Sequence, residues 1–335
     1  MSVSPSHVVI DIMDEPTHGG VGTLNMAHDA HVVFKAEADA LTVAAHKVVT
    51  RFNWFGFMKD ANYESAADIF RRAAIKYRAA GEWKLAGNTF ILAAKAASYN
   101  MTISDIESYY DDAIPLLIDA ARCLSHIQAQ RAIKIYLKLC DVFEARGKLA
   151  ESVKLIMTIS DIYIGLGDTD NGLKYLQKGY ELYSCENMDA KARECLLKMI
   201  EIYLKRGQYL LAFDNYETVI KAYLAKFSSH KFVAKPYIFR ALVCLFYTDD
   251  VQLIYNKYDE YCQMDYTFGG SREGRFIKSL LDVIGAHVPE PDKYSLICNE
   301  YNTGSPFEPW MYSCLLHQKE ALEAEISPWN NVDLA

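Results

Sequence analysis

Few side chains in this 335-residue chain have the types and spacing needed for chemistry. His28 and His31 are three residues apart on a predicted helix, a spacing that suits two metal ligands, but no third ligand accompanies them. Acidic pairs such as Asp111-Asp112 stand at predicted helix starts, where they favour the helix dipole. No phosphate-binding loop, nucleophile elbow or HExxH motif occurs. We therefore predict a protein that is not an enzyme and that has no metal site and no cofactor.

The eight cysteines likewise show no pattern that indicates a catalytic or metal site. None forms a CxxC pair, and most stand among apolar residues with helical spacing, which is typical of buried free thiols in a reducing compartment. The first residues, MSVSPSHVVIDIMDEP, lack the basic region of a secretory signal peptide. We expect a cytoplasmic protein.

A turn signal recurs about every twenty residues and predicts how the chain is organised. It reads Gly81-Glu82-Trp83, Gly147-Lys148-Leu149, Gly167-Asp168-Thr169 and Gly207-Gln208-Tyr209. Each glycine is expected to close one helix, and two helices per unit give a period of about forty residues. That period is typical of an α-solenoid, a class that holds partners on an extended surface and rarely performs catalysis.

The predicted helices carry one apolar stripe each, in which alanines alternate with aromatic residues. The stripe of the helix after residue 60 consists of Tyr63, Ala66, Ala67, Phe70, Ala73, Ala74 and Tyr77. We predict an all-α, tetratricopeptide-like right-handed α-solenoid, a twisted sheet of helical hairpins, with a C-terminal helical bundle. The predicted domains are a disordered leader (1–27), the solenoid (28–230), the C-terminal bundle (231–322) and a tail (323–335).

Charge is distributed unevenly along the chain. Residues 1–121 carry a net −5, residues 122–240 a net +6 and residues 241–335 a net −9, within a total of −8. A basic middle beside an acidic C-terminal part favours two partners of opposite charge. Solvated helix surfaces with randomly placed charges are the alternative interpretation.

A group of large apolar residues precedes the first strong helical stripe. It comprises Phe52, Trp54, Phe55, Phe57 and Met58, with Arg51 and Lys59 on either side. These residues do not follow helical spacing, and tryptophan favours lipid interfaces, so we predict a membrane-binding loop. Packing of the same residues beneath the first helical hairpin is the alternative.

The order of several motifs resembles the soluble NSF attachment protein (SNAP) family, most closely its alpha type. The motifs are the apolar loop at 52–58, the helical pair at 63–94, the stretch Glu194-Cys195-Leu196-Leu197-Lys198, the segment Ser271-Arg272-Glu273 and the penultimate Leu334. The resemblance covers roughly residues 28–335. It implies an adaptor for vesicle fusion and intracellular protein transport. Such an adaptor binds a syntaxin-containing SNARE four-helix bundle and recruits and stimulates the AAA ATPase NSF, which separates the bundle.

The resemblance also implies which residues contact each partner. The basic positions that face the SNARE bundle correspond to Lys148, Lys154 and Lys198. A further family lysine is Glu194 here, and the neighbouring Arg193 is expected either to take its place or to leave that contact weaker.

At the other end, Leu334 and Asp333 correspond to the tail that stimulates the ATPase, and Glu290 and Asp292 to acidic residues of the preceding loop. The implied protein is a monomer that binds membranes peripherally. Several copies assemble on one SNARE complex, and no nucleic acid is involved. The alternative function is a generic tetratricopeptide-like scaffold that binds another helix or peptide.

Overall fold

The computed structural model describes residues 22–51, 59–99, 106–226, 231–248 and 250–326. These residues form fourteen helices and no strand. The helices are α1 (Gly22–Arg51), α2 (Lys59–Ala79), α3 (Trp83–Ala97), α4 (Ile106–Ser125), α5 (Ala129–Ala145), α6 (Leu149–Gly165), α7 (Thr169–Cys185), α8 (Asp189–Lys205), α9 (Tyr209–Lys226), α10 (Lys231–Leu245), α11 (Val251–Met264), α12 (Arg272–Ile284), α13 (Pro291–Gly304) and α14 (Pro309–Ile326). The predicted all-α fold of consecutive helical hairpins is confirmed.

The chain divides into two compact units, residues 1–139 and 140–335. In the first unit α1 packs on α2, α2 on α3 and α3 on α4. Its core is rich in alanine, as the stripes predicted: Ala66, Ala74 and Ala93 are fully buried beside Phe70 and Phe90. Small side chains let the helix axes approach closely, and large aromatic side chains fill the remaining space.

In the second unit the consecutive helices from α6 to α10 pack on one another, and α11–α14 complete a shared core. That core extends without interruption from Leu173 to Leu322 and therefore crosses the predicted domain boundary at residue 230. The domain limits at 28–230 and 231–322 remain a prediction. Helix α1 begins at Gly22, so its first six residues belong to the segment that we predicted to be a disordered leader.

A left-handed residue follows five of the helices and ends each of them in the same way. Gly81, Gly147, Gly167 and Gly207 have φ angles of 71°, 70°, 80° and 68°. At Gly167 the backbone N–H donates to Ile164 O at 3.0 Å, and the next N–H donates to Tyr163 O at 3.0 Å. This pair of bonds is the Schellman motif, which satisfies carbonyls that the helix leaves unpaired. All four predicted glycine turns are confirmed.

The fifth member of this set is an asparagine, which we did not predict from the sequence. Asn187 has a φ of 55° and ends α7 with the same two bonds, from its own N–H to Ser184 O and from Met188 N–H to Tyr183 O. Positions 147, 167, 187 and 207 are therefore four equally spaced turns, and helices α6 to α9 begin twenty residues apart. Asparagine is the residue other than glycine that most readily adopts this conformation, which explains the replacement.

A small residue recurs at the fourth position of each of these helices. The series is Ser152, Gly172, Ala192 and Ala212, all buried. A Cβ atom on Gly172 would lie 2.6 Å from Ile164 Cγ1, so α6 and α7 approach each other closely there. Ser160 Oγ donates to the Gly172 carbonyl at 2.9 Å across the same contact.

The turn at Gly167 provides a stability test. Gly167→Ala places a Cβ on a left-handed residue and should destabilise the protein by about 1–2 kcal/mol. Gly167→Asn should cost less, because Asn187 already adopts this conformation. Urea unfolding followed by circular dichroism measures the change.

Gly165→Ala is the matched control, two residues earlier in α6. A Cβ there meets no atom within 4 Å, and the φ angle is not positive. Since alanine restricts the unfolded chain, this change should be neutral or stabilising by up to about 1 kcal/mol. Equal loss of stability in both alanine variants would contradict the role assigned to Gly167.

Candidate functional site

Two of the predicted SNARE-facing lysines lie on one surface of the second unit, formed by α6 and α8. Lys154 and Asp161 are seven residues apart on α6 and so share one side of that helix. From α8, Lys198 Nζ reaches to 3.3 Å from Asp161 Oδ1. We call the surface around Lys154, Asp161 and Lys198 the α6–α8 face.

The lysines of this face are held only weakly. Lys154 Nζ lies 2.9 Å from Glu151 Oε1, one turn earlier on the same helix, and both side chains are about half exposed. Exposed ion pairs of this kind contribute roughly 0–1 kcal/mol, because water and salt screen them. An acidic partner can therefore exchange these intramolecular pairs for its own at little cost.

Lys148 lies at the start of the same helix. It follows the left-handed Gly147 and is the residue immediately before α6, with an exposed side chain. Its backbone N–H donates to Phe143 O at 2.9 Å as part of the turn, so its position depends on the turn rather than on side-chain contacts.

Arg193 has a different environment from these lysines. Its guanidinium lies 4.7 Å from the centre of the Tyr223 ring of α9, and that ring stacks on Tyr237 of α10 at 5.5 Å. Glu194, one residue later, is exposed at the sixth position of α8, the position that Lys154 occupies in α6. The cation–π contact ties Arg193 to α9, and the α6–α8 face carries a negative charge at Glu194.

The α6–α8 face includes two further charged residues that we did not predict from the sequence. Asp161 pairs with Lys198, and Lys205 lies seven residues after Lys198 on α8, paired with Glu201 at 2.7 Å. Residues seven apart lie on the same side of a helix, so Asp161 could have been found from Lys154 and Lys205 from Lys198.

The predicted membrane loop, with Phe52, Trp54, Phe55, Phe57 and Met58, lies outside the described residues. Five residues after the loop in sequence, Tyr63 of α2 stacks on Tyr99 at 3.6 Å between ring centres, and Tyr99 is about half exposed. No helix in the described parts of the chain has both the length and the apolar character to cross a membrane.

The predicted ATPase-binding residues fall into two groups. Leu334 and Asp333 lie outside the described residues. Glu290 immediately precedes α13 and pairs with Lys293 at 2.8 Å, and Asp292 lies in the first turn of that helix. Both carboxylates are therefore at a helix N-terminus, where they favour the dipole.

The reactive side chains show no arrangement for catalysis in the described residues. Burial raises the pKa of the Cys140 and Cys195 thiols to about 11 and that of Cys298 and Cys314 to about 12, so these groups remain protonated at neutral pH. Over the ranges described, no three His, Cys, Asp or Glu side chains form a group that could hold a metal ion.

The fold gives the class of this protein, and a comparison with known proteins gives its family. The fold and the exposed charges of the α6–α8 face define a protein built from consecutive helical hairpins. A family model described as soluble NSF attachment protein, SNAP, matches residues 36–323. This chain belongs to the SNAP family.

Individual relatives are distant but match over nearly their whole length. The alpha-soluble NSF attachment protein of Mus musculus is 28% identical over 302 residues, which cover 87% of this chain and 96% of that protein. The beta-soluble NSF attachment protein of Bos taurus is 27% identical over 298 residues, covering 88% and 94%. The probable vesicular-fusion protein sec17 homolog of Schizosaccharomyces pombe is 25% identical over 290 residues, covering 86% and 97%.

The environment of Arg193 can be tested with a double-mutant cycle. If its guanidinium stabilises the fold through the Tyr223 ring, Arg193→Met and Tyr223→Leu should show a coupling energy of about 0.5–1 kcal/mol in urea unfolding. Lys198→Met combined with Tyr223→Leu is the control and should be additive. A coupling near zero for the first pair would mean that Arg193 is free to contact a partner.

Proposed function

We propose that this protein is a non-enzymatic adaptor for SNARE disassembly. It binds the SNARE four-helix bundle, recruits an NSF-type AAA ATPase and stimulates that ATPase, and it is located in the cytoplasm and peripherally on membranes. The observation that carries this proposal is the match of the SNAP family model to residues 36–323. The relatives' names add NSF attachment and vesicular fusion as the family context.

The geometry supports the α6–α8 face as the surface that binds the SNARE bundle. It presents Lys154 and Lys198 from two helices of one layer, with Asp161 of α6 paired to Lys198, and Lys148 precedes α6. An acidic bundle laid along this layer would meet lysines from successive hairpins. Such contacts are weak for one copy and sensitive to salt, since the Debye length is about 8 Å at physiological ionic strength. Several copies on one bundle would raise the overall affinity through avidity.

Glu194 stands where the family resemblance places a lysine, and this difference is consistent with binding that relies on fewer contacts per copy. Because Arg193 is engaged with Tyr223, it does not replace the missing cation on this face. We infer that Lys154 and Lys198 contribute most of the attraction from this part of the surface.

Charge reversal tests this assignment. Lys154→Glu combined with Lys198→Glu should lower the affinity for a cognate SNARE bundle by about a hundredfold or more, which corresponds to roughly 1.4 kcal/mol for each tenfold. Pull-down or fluorescence anisotropy at several salt concentrations measures this loss. The single change Glu194→Lys should act in the opposite direction and tighten binding.

Lys174→Glu is the matched control for charge. Lys174 is exposed on α7, on the side of Lys178, which pairs with Glu144 of α5 rather than with the α6–α8 face. This variant should bind the bundle as well as the unmodified protein. Undiminished binding by the Lys154 and Lys198 double variant would place the binding surface elsewhere.

The apolar loop is proposed to insert at the lipid interface. Trp54→Ser with Phe55→Ser should reduce binding to liposomes, because each large apolar side chain contributes about 1.5–3 kcal/mol when fully buried. The helix content should not change. Liposome co-sedimentation and circular dichroism measure the two properties, and loss of both together would identify the loop as part of the core.

The complete activity is tested with the SNARE bundle, the ATPase and ATP, following bundle disassembly by fluorescence. Disassembly should require this protein, and Leu334→Ala should slow it while bundle binding persists. No disassembly with an active ATPase and a correctly folded protein would favour the alternative, a tetratricopeptide-like scaffold with a different ligand.

A further inference from the structure

The loop between α11 and α12 carries an aromatic side chain that faces water. Residues 265–271 join Met264, the end of α11, to Arg272, the start of α12. Tyr266 in this loop is 80% exposed, more than any other large apolar or aromatic side chain that the structure describes. Tyrosine is enriched among the residues that dominate protein interfaces, because its ring covers a large apolar area and needs few torsions to be fixed. Tyr266 is therefore a candidate contact for a partner.

The backbone on both sides of Tyr266 is held by Asp265, which is fully buried. Asp265 Oδ1 accepts from the Thr267 N–H at 3.0 Å and from the Thr267 hydroxyl at 2.7 Å. The other oxygen, Oδ2, has no hydrogen-bond partner among the described residues, and burial of such an atom costs free energy. Asp265 therefore contributes to the order of this loop more than to the stability of the core.

The loop is also anchored in the core of the second unit. Phe268 is fully buried, and the centre of its ring lies 6.2 Å from that of Tyr258 in α11. The Phe268 carbonyl lies so close to Gly274 of α12 that a Cβ atom on this glycine would overlap it. An ordered loop loses little conformational entropy when it binds, so Tyr266 is preorganised for a contact.

The loop lies at the end of the helical stack where α6, α8 and α10 begin. Consecutive helices with short connections are antiparallel, so α11 ends where α10 begins. Lys235, the fifth residue of α10, donates from Nζ to the Thr267 carbonyl at 3.3 Å. Two residues later, Tyr237 stacks on Tyr223, and the guanidinium of Arg193 from α8 lies over the same Tyr223 ring. These contacts connect the loop to α8 through α10 and α9.

The charge and the distance both suit the partner of the α6–α8 face. Arg272 and Arg275 follow the loop in the first turn of α12, and both are exposed, although residues 241–335 are acidic as a whole. Neighbouring helices lie about 10 Å apart, so α6, α8 and α10 together span roughly 20 Å. A helix of about twenty residues is roughly 30 Å long. One acidic helical bundle is therefore long enough to meet Lys154 and Tyr266 together.

We propose that Tyr266 is an apolar anchor for the SNARE bundle beyond the α6–α8 face, and that Asp265 is the residue that positions it. This inference rests on the proposed function, which places the bundle on that face. The ring packs against apolar side chains or aliphatic stems of the bundle, while Arg272 and Arg275 meet its carboxylates. Salt screens the contacts of the lysines but not the burial of an apolar ring. Tyr266 thus sustains binding where the ion pairs weaken.

Truncation of the ring tests this contact. Tyr266→Ala should weaken binding to a cognate SNARE bundle about tenfold, and the factor should be the same at low and at high salt. Tyr266→Phe should retain most of the affinity. Fluorescence anisotropy at several salt concentrations measures both variants. Leu296→Ala is the matched control, because it truncates an exposed apolar side chain of α13, and it should bind as the unmodified protein does.

The outcomes separate this inference from the proposed function. Undiminished binding by Tyr266→Ala, with binding lost in the Lys154 and Lys198 double variant, would overturn the inference and leave the function in place. Absence of binding by the unmodified protein would overturn both. A loss that disappears at high salt would contradict an apolar contact. If Tyr266→Ala reduced binding to liposomes but not to the bundle, the ring would belong to a lipid-binding surface, and the inference would fail.

A double-mutant cycle tests the role of Asp265. Asp265→Ala removes the acceptor of Thr267 and should weaken bundle binding in the unmodified protein, but it should cost no further affinity in the Tyr266→Ala background. Asp265→Asn retains one acceptor oxygen and should bind more tightly than Asp265→Ala. Equal losses in both backgrounds would mean that Asp265 acts through the stability of the fold, and would overturn its role in positioning Tyr266.

Discussion

The left-handed residue that ends each central helix is the constraint on which the second unit depends. Gly147, Gly167, Asn187 and Gly207 stop their helices at equal intervals, so that four consecutive helices have nearly the same length. Equal lengths place equivalent positions at the same height in helices that are two apart in sequence, whereas successive helices are antiparallel, so that Ser160 near the end of α6 contacts Gly172 near the start of α7. The small residues at position four and the close contact of Gly172 with Ile164 follow from that repetition.

The same repetition explains how lysines from separate helices form one surface. Helices two apart in sequence lie in the same layer, as the pairs Lys198–Asp161 between α8 and α6 and Lys178–Glu144 between α7 and α5 indicate. Equivalent helical positions therefore lie side by side along the layer, and the charge at one of them can differ in sign, as at Lys154 and Glu194, without altering the fold. This modularity is consistent with the 25–28% identity that this chain shares with relatives over most of their length.

The C-terminal helices have a different character. They lack the twenty-residue period, and they pack around large aromatic side chains such as Phe276, Tyr301 and Phe307, with a cavity left between α13 and α14. Irregular packing of large side chains leaves such cavities more readily than the alanine-rich contacts between α2, α3 and α4 do. The region proposed to meet the ATPase thus also contains an apolar cavity.

The sequence by itself determined the class of fold, the glycine turns and the order of motifs typical of the family. These features depend on local preferences: the 3.6-residue period and the left-handed preference of glycine are properties of short segments. The tertiary structure alone decided that Arg193 stacks on Tyr223, thirty residues away, and that Lys198 meets Asp161, thirty-seven residues away. It also decided that the cavity beside Leu316 is open. Such contacts depend on which helix faces pack together, a choice made by the sum of many apolar contacts and not by any one stretch of residues.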